Sequence, residues 1–360
     1  MNQDGTVLIA CGGTGGHIYP ALAIAEAFRH QGFRHIVFAG RRNSMEEKLV
    51  APQWPFELIQ AVPLVRGNPL QNIALPWRLL CSFLSAYRVV RRLRPTFVVA
   101  TGGYVSLPVL LAAGCVRVPI FLQEQNAVAG IANRIGAILA KRIFVTSSDA
   151  AQAFPTSKVR VEGNPIRTLP TPGSQPVPEA FSKARFKILV LGGSQGARGI
   201  NRKIEEALPR IATHPEIAVV WQVGAKNVEK IQQRLQLPAH VHIRGFLNPV
   251  YAYIDHADLV ISRAGASTLA ELLAFGKPSL LFPFPFATAN HQEHNARVLE
   301  KAGAALVELD EEPNGLWDKV EGLFQNPEHL HNMASKAKAM GSPDAAERIA
   351  QNILNEVARL

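Results

Sequence analysis

The feature that most constrains this chain is a rhythm. Runs of four to six apolar, often β-branched residues recur along it, each followed by a glycine or polar turn and then by a helical pattern. In the first half they are Val7–Ala10, Ile36–Ala39, Phe56–Gln60, Phe97–Ala100, Ile120–Gln123, Ile143–Thr146 and Val159–Glu162. They do not alternate apolar with polar, which is how strands buried on both faces of a parallel sheet read. Asn164 to Pro178 then holds five prolines and little apolar content, as a linker does. The rhythm restarts at Ile188–Leu191, Ala218–Val223, Val241–Arg244, Leu259–Ser262, Ser279–Phe282 and Ala305–Glu308. The expectation is an α/β chain of two tandem doubly wound, Rossmann-like domains. Such sheets bind ligands at the carboxyl ends of their strands, so two facing units would leave a cleft. The expected boundaries are residues 1–165 and 166–345. A last helix over 346–360, with Ser342 as its N-cap and Pro343 in its first turn, either stays with the second domain or returns to the first.

Composition closes off other classes. With 48% hydrophobic and 18% charged residues the chain can build sizeable cores and is not disordered. Three scattered cysteines (Cys11, Cys81, Cys115) make neither a disulfide framework nor a zinc site. The N-terminus has no basic n-region, so no signal peptide is expected. Thr96 to Val116 carries no charge over 21 residues, yet Thr101-Gly102-Gly103-Tyr104 and Pro108 fit a strand, a loop and a helix better than a membrane span. A reduced, cytosolic protein is expected.

The net charge is +10, and its placement matters more than its size. Between Glu57 and Glu124 lie 66 residues without an acid and with seven arginines, Arg66, Arg78, Arg88, Arg91, Arg92, Arg94 and Arg117. Such a field attracts nucleic acid, anionic lipid or a phosphorylated ligand. Within it, Ile73, Leu75, Trp77, Leu79, Leu80, Phe83, Leu84 and Tyr87 make one helix apolar nearly all round, with arginines at its C-terminal end. A helix of that kind is either wholly buried or rests one face on something apolar. No nucleic-acid recognition motif accompanies the arginines, and no nucleic-acid partner is expected.

Two glycine turns occupy the same place in the two halves. The first strand leads into Gly12-Gly13-Thr14-Gly15-Gly16-His17, and Ile188–Leu191 into Gly192-Gly193-Ser194-Gln195-Gly196-Ala197. Glycine lets backbone approach a ligand closely, and a helix start offers unpaired N–H groups, so both turns suit phosphate. Neither has dinucleotide spacing and no Walker lysine follows, which argues against a dinucleotide-dependent oxidoreductase. Further polar strand ends are Thr101-Gly102-Gly103-Tyr104, Gln123-Glu124-Gln125-Asn126 and Arg263 to Glu271. Glu271 is either a partner of the helix dipole or a chelator of two ribose hydroxyls. His291 and His294 have metal-like spacing without a third ligand nearby, and metal binding is not expected there.

In this order, with Gly163-Asn164-Pro165-Ile166-Arg167 and with Gln292 and Asn295, these motifs resemble those of the MurG family, bacterial peptidoglycan glycosyltransferases of GT-B architecture. The likeness runs through nearly all 360 residues. It implies inverting transfer of N-acetylglucosamine from UDP-GlcNAc to the C4 hydroxyl of a polyprenyl-diphosphate-linked muramoyl pentapeptide, a step of wall building that bears on cell shape and division. By position, Glu271 would hold the ribose, and Ser194, Ala266, Ser267 and Thr268, with Leu269 and Ala270 in the same turn, would face the diphosphate. The backbone at Leu247 would read uracil. Gln292, Asn126, Arg167 and the Thr14-Gly15-Gly16 turn would meet the sugar or the reaction centre, and Gly13, Gly103 and Tyr104 the acceptor. The family often has a bulky apolar residue where Ser267 stands.

The chemistry suits these residues. Helix-end amides can stabilise a departing diphosphate, so no cofactor is expected and metal is not obligatory, with Mg2+ on the acceptor diphosphate left open. His17 sits at a helix start, whose dipole favours neutral imidazole, and is read as the general base or an acceptor-orienting group. With a membrane-borne acceptor, Ile73, Trp77, Leu80, Phe83, Leu84, Arg88, Arg91 and Arg92 would seat the protein peripherally on the anionic cytoplasmic face of the inner membrane. The rivals are a transferase using diacylglycerol and a UDP-GlcNAc 2-epimerase, though no extra pair of acid/base carboxylates for the latter is apparent.

Overall fold

A computed structural model describes residues 5–62, 75–193 and 195–359. Ile73 and Ser194 lie outside them. The chain divides into two compact units, Met1–Thr168 with Ser342–Leu360, and Leu169–Gly341.

The first unit runs β1 (Thr6–Cys11), α1 (Gly15–His30), β2 (His35–Gly40), α2 (Met45–Val50), β3 (Phe56–Leu58), α3 (Leu75–Leu93), β4 (Phe97–Gly102), α4 (Ser106–Cys115), β5 (Ile120–Glu124), α5 (Ile131–Gly136), β6 (Arg142–Val145), α6 (Ser148–Ala151) and β7 (Val159–Val161). Its strands form one parallel sheet in the order β3-β2-β1-β4-β5-β6-β7. The apolar runs of the inner strands are continuous because both faces are covered, whereas the edge strands β3 and β7 are part-exposed. Val7, Ile9 and Cys11 of β1 point to one face, and Leu8 and Ala10 to the other, where they join separate cores. Thr96–Val116, the uncharged stretch, is β4, a glycine loop and α4. No helix among the described residues is long and apolar enough to cross a membrane.

The second unit runs β8 (Phe186–Leu191), α7 (Arg198–Ile211), β9 (Ile217–Gln222), α8 (Val228–Arg234), β10 (Val241–Arg244), α9 (Val250–His256), β11 (Leu259–Ser262), α10 (Ala266–Ala274), β12 (Ser279–Leu281), α11 (His291–Lys301), β13 (Ala305–Val307), α12 (Leu316–Gln325) and α13 (Pro327–Met340). Its parallel sheet has the order β10-β9-β8-β11-β12-β13. In both sheets the strand order reverses beside the unit's first strand, between β1 and β4 and between β8 and β11. A crevice opens there at the carboxyl ends, and both glycine turns lie at it.

The last helix, α14 (Ala345–Val357), belongs to the first unit. Ala346, Ile349, Ala350, Ile353 and Leu354 join the core face of β1 and α1. Arg348 adds contacts to the Glu162 carboxylate at 2.9 Å and its carbonyl at 2.7 Å. The cap differs from the sequence expectation. The helix begins after Asp344, and Ser342 contributes a backbone carbonyl to Ala345 N–H at 3.1 Å, because Pro343 and Asp344 form a turn first.

Of the two alternatives read for α3, the structure has the one with an open face. Ser82, Ala86, Val89 and Val90 are buried, whereas Trp77 is 68% exposed and Leu79, Leu80 and Leu84 are exposed beside it. Phe83 is half-buried against the core, and the exposed Arg92 pairs with Glu57 at 2.5 Å. Arg88 and Arg91 are exposed.

Ile353→Ala removes a fully buried side chain at the α14 seam. It is expected to lower unfolding free energy by roughly 2–5 kcal/mol in a urea titration.

Candidate active site

At the switch point of the first sheet, the loops after β1 and β4 touch backbone to backbone. Gly103 has φ +86°, and a Cβ there would lie 2.0 Å from the Gly12 carbonyl oxygen. Glycine is therefore required on steric and conformational grounds together. Thr14, extended at φ −141°, caps α1 through its backbone carbonyl, which accepts from His17 and Ile18 N–H. Gly15, Gly16 and His17 form the first turn, with no acidic residue to occupy the positive end of the helix.

His17 is fastened at one ring nitrogen. Its Nδ1 lies 2.9 Å from the Thr101 carbonyl and 2.6 Å from Gln125 Nε2. A carbonyl can only accept, so Nδ1 carries the proton, and the oxygen end of the Gln125 amide is the one that suits it. Gln125 Oε1 is buried without a hydrogen-bond partner, and turning the amide over brings it to Nδ1. Nε2 is then the nitrogen that can take a proton. Thr101 Oγ1 also donates to the His17 carbonyl at 2.8 Å.

Two buried carboxylates hold the surrounding loops. Glu46, 1% exposed, accepts from Gly13 N–H and Arg41 N–H, both at 3.3 Å, and from Tyr104 OH at 3.4 Å. Burial, then the Glu46 charge, push the Tyr104 phenol above its usual range, so it stays a hydrogen-bond donor at neutral pH. The same two causes, in the same order, push the Cys11 thiol up strongly. Glu124, fully buried, accepts from Asn126 N–H, Asn126 Nδ2, Gly130 N–H and Asn133 Nδ2 at 2.9–3.3 Å. Asn126 is thereby held next to the Gln125–His17 contact. Arg167 lies with its guanidinium carbon 5.6 Å from the Tyr19 ring centre.

In the second sheet, Gly193 N–H donates to Gln222 Oε1 at 3.1 Å. Gly196 has φ +76°, and a Cβ there would strike the Val223 carbonyl at 2.0 Å. Across the switch point, α10 starts with Ala266, Ser267 and Thr268, and the buried Ser267 hydroxyl has no hydrogen-bond partner. Leu269 and Leu247 are buried in the core, so any contact they make with a ligand comes from backbone. Ala270 and Glu271 follow; Glu271 is in the second turn, beyond the reach of the helix-end dipole, and its Oε1 accepts from Tyr251 OH at 2.9 Å. Gln292, in the first turn of α11, accepts from Phe284 N–H at 3.0 Å. No group of three or more His, Cys, Asp or Glu among the described residues is placed to hold a metal ion.

Residues 7–145 match the glycosyltransferase family 28 N-terminal domain, and residues 187–349 match that family's C-terminal domain. A Coxiella burnetii protein is 39% identical over 95% of this chain and 96% of its own length. Its name is UDP-N-acetylglucosamine–N-acetylmuramyl-(pentapeptide) pyrophosphoryl-undecaprenol N-acetylglucosamine transferase. A protein of the same name from an Anaeromyxobacter species is 40% identical over 96% and 91%.

The chain belongs to glycosyltransferase family 28. A crystal structure of Acinetobacter baumannii MurG has a TM-score of 0.78 to it at 27% identity, covering 97% of this chain and 99% of that one. It shares the two-domain α/β architecture.

As a family 28 glycosyltransferase the chain carries features that sequence reasoning passed over. Glu46 was detectable, since Ser44 and Glu47 form a helix-start signature: Ser44 Oγ accepts from Glu47 N–H at 3.2 Å. That signature puts Glu46 in the first turn of α2. The Tyr251–Glu271 contact and the pairing of Arg263 with Asp310 had no local signal, because the partners stand 20 and 47 residues apart.

Gly103→Ala is expected to abolish most transferase activity and to lower thermal stability. Circular-dichroism melting and a transfer assay with radiolabelled UDP-GlcNAc measure the two effects.

Proposed function

We propose that this enzyme transfers N-acetylglucosamine from UDP-GlcNAc, with inversion, to the C4 hydroxyl of a polyprenyl-diphosphate-linked muramoyl pentapeptide. The observation that carries the reading is likeness over the whole chain to two bacterial transferases named for that donor and acceptor. The geometry supplies a way to do it. His17 Nε2 takes the proton of the acceptor hydroxyl as its oxygen attacks the anomeric carbon, and the bond to UDP breaks on the opposite face. The Thr101 and Gln125 contacts at Nδ1 keep the ring in the required tautomer and stabilise the imidazolium that forms. The charge on the departing diphosphate falls to N–H groups at the start of α10 and in the Gly192–Ala197 turn, joined by the Ser267 hydroxyl. Glu271, steadied by Tyr251, receives the ribose hydroxyls, and the backbone at Leu247 the uracil. Within the second unit Gln292 serves the sugar; within the first, Asn126 and Arg167 serve the reaction centre, and Gly13, Gly103 and Tyr104 the acceptor.

The acceptor's lipid accounts for the open face of α3. This helix packs beside α4, and α4 beside α5, over one face of the first sheet. The exposed Trp77, Leu80 and Leu84 are thus joined by Leu111, Ile131, Ile135 and Ile138, the last 78% exposed. With Arg78, Arg88 and Arg91 in solvent nearby, this face suits the anionic cytoplasmic leaflet of the inner membrane, the protein resting there peripherally.

Incubation with UDP-GlcNAc and a short-chain acceptor analogue should yield the disaccharide lipid, and diacylglycerol should yield nothing; the reverse outcome would establish the other lipid transferase. His17→Ala is expected to lower kcat by about 10²–10⁴-fold. A near-normal kcat with unchanged acceptor KM would refute the base assignment. Co-sedimentation with vesicles containing anionic lipid should exceed that with neutral vesicles, and should fall with salt and in a Trp77→Ser, Arg91→Gln double variant.

A further inference from the structure

In the second unit, a two-pronged charge pair ties together three loops at the carboxyl edge of the sheet. Arg263 stands between β11 and α10, and Asp310 follows β13. Arg263 Nη1 and Nη2 reach Asp310 Oδ1 and Oδ2 at 2.6 and 2.8 Å. Both side chains are mostly out of water, at 17% and 18% exposure, so the fork keeps strength that solvent would otherwise take from it.

Each end of the pair grips something further. Arg263 Nη1 also donates to the carbonyls of Phe282 and Pro283 at 3.0 and 3.2 Å, and the guanidinium carbon lies 5.7 Å from the Phe284 ring centre. The next link is Phe284 N–H, which donates to Gln292 Oε1. With its oxygen used in this way, the Gln292 amide has its NH2 end to present to a sugar hydroxyl. On the other side, Asp310 is seated against α7, the helix that follows the second glycine turn. A Cβ on Gly199 would lie 2.2 Å from Asp310 Oδ2, so the carboxylate fills the space that glycine leaves. Arg202, three residues on, donates Nη2 to the Asp310 carbonyl at 2.8 Å.

We propose that Asp310 is a positioning residue for the sugar part of the donor site. It touches no reacting atom. Braced on Gly199, it aims the Arg263 fork, which holds the Phe282–Phe284 backbone and through it the Gln292 amide. Uracil and ribose are served from Leu247 and Glu271, outside this chain of contacts. Loss of the Asp310 charge should therefore be felt at the sugar far more than at the nucleotide. The inference rests on the donor site as read under Proposed function.

The test is Asp310→Asn in the full-length enzyme, with calorimetric binding of UDP and of UDP-GlcNAc and KM for donor and acceptor measured separately. UDP-GlcNAc affinity is expected to fall, and donor KM to rise, by about 10-fold, with UDP affinity and acceptor KM within about 2-fold of the parent. Gly199→Ala reaches the same carboxylate from another element. Alanine is the better helix former, so local propensity predicts a gain, whereas a Cβ driven into Asp310 predicts the same sugar-selective loss. Equal weakening of UDP and UDP-GlcNAc in these variants would mean that the pair merely supports the domain, and unchanged binding of both would remove its role altogether. Failure of the parent enzyme to bind UDP-GlcNAc would instead strike the functional reading itself, so the two failures are distinguishable.

Discussion

Parallel strands joined by right-handed crossovers place every strand's carboxyl end, and the start of the helix that follows it, along one edge of the sheet. The rest of the molecule depends on that constraint. Helix starts carry N–H groups with no partner inside the helix, so such an edge is rich in donors before any side chain is chosen. Where the strand order reverses, neighbouring connections leave to opposite faces and the edge opens. The turns after β1, β4, β8 and β11 fall at these two openings. Their glycines bring backbone amides close enough together to meet an anion.

Donors alone do not make a defined site, because loops without anchors move. In the first domain the anchors are the buried carboxylates Glu46 and Glu124. A charge taken out of water is costly unless hydrogen bonds replace its hydration, and both carboxylates find these in loop N–H groups and neighbouring side chains. Each thereby fixes several loop atoms around one centre. The second domain has a counterpart further from its crevice, where Glu308, fully buried, takes Lys203 at 2.5 Å, Lys319 at 2.7 Å and Gly315 N–H at 3.3 Å. Small polar turns are in this way given firm backing.

The inner strands were legible in the sequence because they are buried on both faces, and burial leaves an unbroken apolar run as its trace; the edge strands β3 and β7 are part-exposed. Every run read as a strand is one, with ends displaced by at most two residues. The glycine turns, His17 and the α10 start were legible because steric need and helix capping act on adjacent residues. Contacts made across the fold were not. Nothing near Gln125 signals that it lies against His17, and nothing near Asp310 signals Arg263. The open face of α3 was ambiguous for a different reason: an apolar helix reads alike whether protein covers it or not. Ser342 failed as a cap because Pro343 and Asp344 form a turn before the helix begins.

The seating of α14 on the first domain bears on how the protein is made. One wall of that domain's core consists of Ala346, Ile349, Ala350, Ile353 and Leu354, which are synthesised after the whole of the second domain. While the ribosome is still translating the second domain, the nascent first domain has its sheet but lacks that cover over β1 and α1. Its completion must wait until α14 has been made, so the second domain, contiguous in sequence, is the one able to close first.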